Sequence, residues 1–593
     1  MNKTVHIASI NFRLITMCCR TNHIHSAAKK AFSVILLNMY AADFPSRTDQ
    51  AAATVEKGRR IGRTRHSAPS WVLWLVGGLT ASALQISPLL AQNLGRWSGG
   101  IPFPNVPVSA AVLPNGQLLT WSSYQPSFFE GDIGTAASQT YTSVYNPATG
   151  AFTPLVENSM MADMFCSGIA YLADGRIMVN GGSSSYHTAL YTPSTQTWVS
   201  GAMMNITRGY NSTVALSTGE AFTIGGSWAG DGTPKDGEVW KAGQGWRRTS
   251  ISENNILGID PIDIAQGFIS EGDDHPWLFA APNGRVFHAG PSPLMNWIDT
   301  RGDGSITPAG NRADDPYSIN GIAVMYQPGK ILKTGGAPSY TNAIATASTY
   351  AIDITAGLAN PAAPVTVRKL PPMAYLRAYA NGVLLPGGKV LVIGGQSNAL
   401  QFTDDTAVLT PELWDPATER FTALAPMQTP RNYHSTALLL PDGRVFSGGG
   451  GLCGTDCDAN HQDGAIFSPP YLFNADGVTP APRPVIQVTG SVPPATALSG
   501  PFNATLSVLL GSTFAISASE PIKSFELIRL SSTTHSINTD QRRVPLTIAG
   551  VIGTNYAATM PADPGIVVPG YWMLFALDAI GTPSVAKIIL IKS

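Results

Sequence analysis

From residue 110 onward, polar turns and short apolar runs alternate in one recurring phrase. A turn ending in glycine leads into a mostly apolar strand, and the strand ends in most copies on a glycine pair. The first copy is Leu113-Pro114-Asn115-Gly116 followed by Leu118, Leu119 and Trp121, and the last is Leu440-Pro441-Asp442-Gly443 followed by Val445 and Phe446. The turn glycines are Gly116, Gly175, Gly219, Gly284, Gly329, Gly388 and Gly443. Their mean spacing is about 55 residues, near the period of kelch-type repeats. Asx-Gly and Pro-Gly supply the dihedrals of a tight turn, and paired glycines let backbones crowd where a Cβ would clash. Phrases such as Tyr145-Asn146-Pro147-Ala148-Thr149-Gly150 and Trp414-Asp415-Pro416-Ala417-Thr418 read as a second hairpin in the outer part of each unit. The pattern predicts a seven-bladed β-propeller of four-stranded blades over 92–480.

The pattern stops near residue 470. Pro480-Ala481-Pro482-Arg483-Pro484 reads as a linker, and alternating runs such as Tyr571-Trp572-Met573-Leu574-Phe575 predict an immunoglobulin-like β-sandwich over 481–593. The fold class expected is therefore all-β. At the other end, residues 1–60 carry no sustained periodicity and read as an unstructured or spurious extension, with Met39 as an internal alternative start. Basic Lys57, Arg59, Arg60 and Arg63 then precede the apolar run from Trp71 to Ala91. Residues 61–91 are read as a signal peptide, or as a membrane anchor if left uncleaved. The protein is expected outside the cell, secreted or anchored at its surface.

Composition narrows the function. The 593 residues carry a formal net charge of -1 and only 13 % charged side chains, with 59 Gly, 45 Pro, 12 Trp and 18 Tyr. No basic field exists to hold nucleic acid. No sequence feature marks an oligomer interface, and a monomer is expected. Of the five cysteines, Cys18 and Cys19 fall in the extension, and Cys453 and Cys457 are spaced to close a small disulfide in an oxidising compartment. Cys166 is the odd thiol, either an inert core cysteine or a functional one.

Two tyrosines and two histidines accompany it in distinctive phrases. They are Arg208-Gly209-Tyr210, Arg431-Asn432-Tyr433-His434-Ser435 and Thr534-His535-Ser536-Ile537-Asn538-Thr539-Asp540-Gln541-Arg542-Arg543. Cys166, Tyr210 and the Tyr433-His434 pair each precede a repeat's turn, and equivalent positions in different blades converge on one end of a propeller's axis. His535 would reach in from the sandwich. Two imidazoles with two phenolate oxygens suit Cu(II) in tetragonal geometry, whereas zinc more often takes a local cluster with extra His, Cys or carboxylate. The competing reading of any lone Tyr or His here is blade packing, and His275, His288 and His461 are assigned to it.

With these phrases the chain resembles the galactose oxidase and glyoxal oxidase group of copper-radical oxidases over roughly residues 95–593. Asp163-Met164-Phe165-Cys166, Ile224-Gly225-Gly226-Ser227-Trp228, Phe446-Ser447-Gly448-Gly449-Gly450-Gly451-Leu452-Cys453 and Pro569-Gly570-Tyr571-Trp572 carry the likeness further. The resemblance implies one copper ion held by Tyr210, Tyr433, His434 and His535. It also implies a self-processed thioether between Cys166 and Tyr210 as the radical cofactor, with Trp228 stacked over it. Tyr433 would accept the substrate's hydroxyl proton. A one-electron metal needs a second one-electron store for two-electron chemistry, and a sulfur-substituted phenol is easier to oxidise than a plain one.

The likeness breaks at the sugar site. The propeller pattern starts soon after the signal, leaving no length for the N-terminal sugar-binding domain of galactose oxidase. The arginine that holds the sugar there has no counterpart in 268–277, and Tyr340-Thr341 lacks the glutamine of the corresponding Tyr-Gln pair. Phe402 and Tyr340 are the expected pocket residues. The favoured expectation is oxidation of a primary alcohol other than galactose to an aldehyde, with O2 reduced to H2O2. A glyoxal oxidase-like aldehyde oxidase making a carboxylic acid is the second, and a non-catalytic glycan-binding propeller the third.

Overall fold

Each recurring glycine turn joins two antiparallel strands. In the first, Ser109–Val112 runs to the turn and Leu118–Trp121 returns, with Ser109 opposite Trp121 and Val112 opposite Leu118. Gly116 sits between them at φ +80°, a left-handed backbone that a Cβ disfavours. The computed structural model describes residues 93–130, 139–157, 162–257, 273–489 and 506–593. The expected extension over 1–60 and the signal or anchor over 61–91 lie outside the described residues. Residues Ser87–Ser593 form one compact unit.

The seven phrases build seven antiparallel blades. Their inner strands are Ser109–Val112, Gly168–Tyr171, Ser212–Ala215, Leu278–Ala280, Ile322–Gln327, Asn381–Leu384 and Ser435–Leu439. Burial falls outward along each blade. In the second, Gly168–Tyr171 and Ile177–Asn180 are wholly buried, whereas Thr197–Ser200 buries Trp198 alone. The last blade borrows its outer strand from the start of the ring, where Arg96 pairs with Ser468 and Trp97 with Phe467. That exchange closes the propeller and removes two free sheet edges. The glycine pairs do the work expected of them. At Gly182, φ +90°, a Cβ would lie 2.3 Å from the Phe165 carbonyl oxygen, so the segment leading into the second blade passes directly over it.

The C-terminal residues fold as a sandwich of two sheets. Its long strand Gly570–Leu577 is buried throughout and splits by parity. Tyr571, Met573 and Phe575 join the propeller's core, and Trp572, Leu574 and Ala576 the sandwich's own. A propeller followed by an immunoglobulin-like sandwich is thus the fold the sequence predicted.

From the sandwich a finger enters the propeller axis. Ser532–Thr534 pairs with Ser109–Val112 and becomes a fifth, innermost strand of the first blade. The polar run behind it ties the finger to the ring. The Asp540 carboxylate accepts from Arg529 at 2.6 Å, from the Ser532 hydroxyl at 2.9 Å and from the Tyr171 amide at 3.1 Å. Thr539 donates to the Thr213 carbonyl at 2.7 Å, Gln541 to the Gly382 carbonyl at 2.8 Å, and Arg542 to the Ala280 carbonyl at 3.1 Å. Four blades are therefore gripped by consecutive side chains of one loop.

Candidate active site

One residue just before each inner strand adopts a left-handed backbone in six successive blades. They are Cys166 (φ +63°), Tyr210 (+67°), His275 (+54°), Asn320 (+55°), Tyr379 (+61°) and His434 (+65°). The first blade lacks such a residue, and the finger beside it supplies His535 at φ +49° instead. Such conformations cost on the order of 1 kcal/mol or more each and persist only where packing imposes them. The side chains of Cys166, Tyr210, His275, Tyr379, His434 and His535 meet around one shared centre.

At that centre Cys166 Sγ lies 3.5 Å from His535 Nε2 and 3.9 Å from His434 Nε2. The hydroxyls of Tyr210 and Tyr433 are in short hydrogen-bond contact. The Tyr210 amide donates to the Cys166 carbonyl at 2.8 Å, holding the two residues side by side. Both imidazoles have their far nitrogen engaged: His434 Nδ1 meets the Gly451 carbonyl, and His535 Nδ1 meets the Thr534 hydroxyl at 2.7 Å. The Gly451 carbonyl accepts only, so His434 carries its proton on Nδ1. The Thr534 hydroxyl donates to the Val108 carbonyl at 3.1 Å, which leaves it to accept from Nδ1 of His535. Each Nε2 lone pair then faces the centre, as in histidines that bind metal.

Burial sets the protonation states. It lowers the pKa of His434 and of His275 to about 3, the latter with help from the neighbouring His434. It pushes His535 well below the usual imidazole range, with His434 and His275 adding to the effect. Burial likewise holds Tyr210, Tyr433 and the Cys166 thiol protonated, well above their ordinary values. Two neutral imidazole donors and two phenols that ionise only beside a cation form a nitrogen/oxygen set fitted to a divalent metal preferring tetragonal coordination.

The surrounding phrases explain themselves. Arg208 is fully buried and donates to the Gly225 carbonyl at 3.0 Å, the Asp236 carbonyl at 2.8 Å and the Glu238 carboxylate at 2.9 Å. Gly209 leaves room for an indole, since a Cβ there would stand 2.6 Å from Trp228 Cε3. Trp228 consequently lies flat on Tyr210, ring centroids 4.6 Å apart and planes 12° apart. Phe165 closes the site from the side, edge-on to both Trp228 and His434.

Tyr340 and Phe402 take different places. Tyr340 is 1 % exposed, its hydroxyl 3.2 Å from that of Tyr433. Phe402 is 42 % exposed, with its ring 5.2 Å from Tyr433 and 5.8 Å from His434. Cys453 and Cys457 form a disulfide beside it. His275, assigned above to blade packing, belongs to the site. Its Nε2 is 3.0 Å from the Tyr340 hydroxyl, and its ring stacks on His535 with centroids 4.6 Å apart. The signal available was position, because His275 leads the fourth blade as Tyr210 leads the third.

Residues 322–455 match the family model described as Glyoxal oxidase N-terminus, and residues 483–591 match Galactose oxidase-like, Early set domain. A galactose oxidase of Gibberella zeae is 41 % identical over 506 residues, spanning 84 % of this chain and 70 % of that protein. The chain belongs to the galactose oxidase family. An aldehyde oxidase of Vitis pseudoreticulata is a more distant relative of this galactose oxidase-family chain, 32 % identical over 248 residues, 38 % of this chain and 43 % of its own. A solved structure described as a novel fungal alcohol oxidase with catalytic diversity among the AA5 family, in complex with copper, is 41 % identical with a TM-score of 0.77. It matches 84 % of this family member and 100 % of its own chain. Among the described residues, no helix is long and apolar enough to cross a membrane.

Proposed function

We propose that the protein is a copper-radical oxidase that converts a primary alcohol to an aldehyde while reducing O2 to H2O2. The observation that carries this reading is the meeting of Cys166, Tyr210, Tyr433, His434 and His535, drawn from three blades and the finger, in one buried centre. Tyr210, Tyr433, His434 and His535 are the ligand set assigned to copper. Cys166 and Tyr210 are assigned to a thioether that forms with loss of one hydrogen from the thiol and one from the phenol ring, both passing with their electrons to O2. Copper and the cross-linked phenol, one electron each, supply the two-electron capacity that alcohol oxidation and O2 reduction require.

The chain's own groups do the rest. The Tyr433 oxygen takes the alcohol's hydroxyl proton, and Tyr340, hydrogen-bonded to Tyr433 and to His275, holds that oxygen in place. Trp228 and Phe165 keep water from the face of Tyr210. The outer rim is aromatic: Phe129, Trp228 and Tyr317 are partly buried against the site, and Phe402 stands exposed. An apolar rim without the sugar-holding arginine fits an alcohol with an aryl or alkyl body better than a hexose.

A hydrated aldehyde offers the same hydroxyl to Tyr433, and the Glyoxal oxidase N-terminus match over 322–455 favours that as the second reading. Peroxide release from the copper-loaded protein, with galactose, an aryl alcohol and a small aldehyde compared, tests both. Turnover of the aryl alcohol above galactose is expected. Turnover of the aldehyde alone selects the second reading, and no peroxide from any of the three contradicts the oxidase assignment. The Cys453–Cys457 disulfide supports an oxidising, extracellular location for the enzyme. N-terminal sequencing of the mature protein decides whether residues 61–91 are cleaved.

A further inference from the structure

Phe402 is held in an unusual posture. Its backbone is left-handed, φ +58°, and its side chain is exposed above Tyr433 and His434. A bulky residue keeps such a conformation only where its surroundings over-determine it. Two residues on, Asp404 is gripped at both carboxylate oxygens. Asn432 Nδ2 donates to Oδ1 at 3.1 Å, and His461 Nε2 lies 2.8 Å from Oδ2. The same Asn432 amide reaches the Thr403 carbonyl at 3.3 Å. Asn432 comes from the segment that carries the centre, and His461 is bonded to the stretch that supports it. Asn432 immediately precedes Tyr433 in the chain. The His461 amide donates to the Gly450 carbonyl at 3.1 Å, next to Gly451, whose own carbonyl engages His434.

We propose that Asp404, clamped between Asn432 and His461, is a positioning residue that fixes Phe402 over the donor set and so sets selectivity for the body of the substrate. The proposal rests on the oxidase reading of this site. Asp404 acts through Phe402. Released from either partner, the 402–404 segment relaxes from its left-handed turn, and the aromatic wall leaves the mouth. A substrate whose body packs on that wall then binds more weakly, while the reacting hydroxyl still meets Tyr433. A brace serving stability alone would affect every alcohol alike.

The test uses the copper-loaded full chain as parent, Asp404→Ala, Phe402→Ala and the double variant, with ethanol and benzyl alcohol as probes. Asp404→Ala is expected to raise KM for benzyl alcohol about tenfold with kcat changed less than about twofold, and to leave ethanol kinetics and copper content as in the parent. Added to Phe402→Ala, it is expected to change KM less than about twofold, because the residue it acts through is already gone. Equal losses on both alcohols, or a full effect in the Phe402→Ala background, overturn the proposal. If Asp404→Ala fails to fold, Asp404→Asn and His461→Gln must give the same pattern at smaller size. Hydrogen exchange of the amides over 400–407 is read in parallel: faster exchange in Asp404→Ala is expected, and unchanged exchange overturns the clamp. A parent that releases no peroxide defeats the oxidase reading, and the exchange result still decides the clamp.

Discussion

Tyr210 and Trp228 lie face to face, their ring centroids 4.6 Å apart and their planes within 12° of parallel. The contact depends on Gly209, which leaves the space the indole fills. An aromatic stack of this kind contributes about 1 kcal/mol beyond area burial, and here it also keeps solvent off an oxidisable phenol. Replacing Trp228 with Ala should retain copper and shorten the lifetime of the oxidised phenol, lowering kcat/KM by roughly 10–100-fold. Decay of the radical's visible absorption, followed alongside copper content, checks this.

Tyr433 is the assigned proton acceptor. Tyr433→Phe keeps the ring and its packing on His434 but removes the oxygen, so kcat should fall by about 100-fold or more, the usual range for losing a general base. Stopped-flow turnover of an alcohol at saturating concentration is the measurement. A loss of kcat/KM carried by KM alone, with kcat unchanged, would count against the role.

The finger makes a separate prediction. Asp540 neutralises buried Arg529 and holds Ser532 and the Tyr171 amide, five residues from His535. Removing one partner of a buried pair costs about 3–5 kcal/mol, because the remaining charge is stranded. Asp540→Ala should therefore lower Tm and release copper together, since the strand that carries His535 is tied by that carboxylate. Asp540→Asn should lose less of both. Differential scanning calorimetry with metal analysis separates this from a loss of metal in an intact fold.

Acid sensitivity has a candidate source away from the centre. His288 is fully buried in the fourth blade, and burial, with Arg312 nearby, lowers its pKa from 6.5 to about 3. Its unfolded form takes up a proton below about pH 6.5, while the folded form stays neutral until about pH 3. Stability from keeping it neutral is thus present above pH 6.5 and is lost as pH falls through that window, at up to about 1.4 kcal/mol per pH unit. His288→Leu should flatten this limb of a chemical-denaturation profile between pH 6 and 4.

What could be read from the chain follows from how local each signal is. The glycine turns and glycine pairs are short-range requirements, so the blades were visible before any contact was known. The phrases around Cys166, Tyr210 and His434 were visible through their likeness to a known family, not through local need: Arg208 and Arg431 bond carbonyls 17 and 18 residues away, and Gly209 makes room for Trp228. The closing strand Arg96–Trp97 has two residues and no period of its own. The union of Asp404 with His461 joins positions 57 residues apart, and nothing in either flanking run requires it. His275 had a local signal in its blade-leading position, but its neighbours Asp274 and Pro276 share little with the other leading phrases. The finger's polar run was visible as a phrase, while its partners in four blades emerge only from the ring.

Everything proposed for the site depends on Cys166 and Tyr210 acting as one cofactor. Peptide mapping by mass spectrometry on mature protein incubated with copper and air tests it most directly. A joined Cys166–Tyr210 peptide pair is expected, its mass two hydrogens below the sum of the separate peptides. Two separate peptides, with copper shown to be bound, would contradict it.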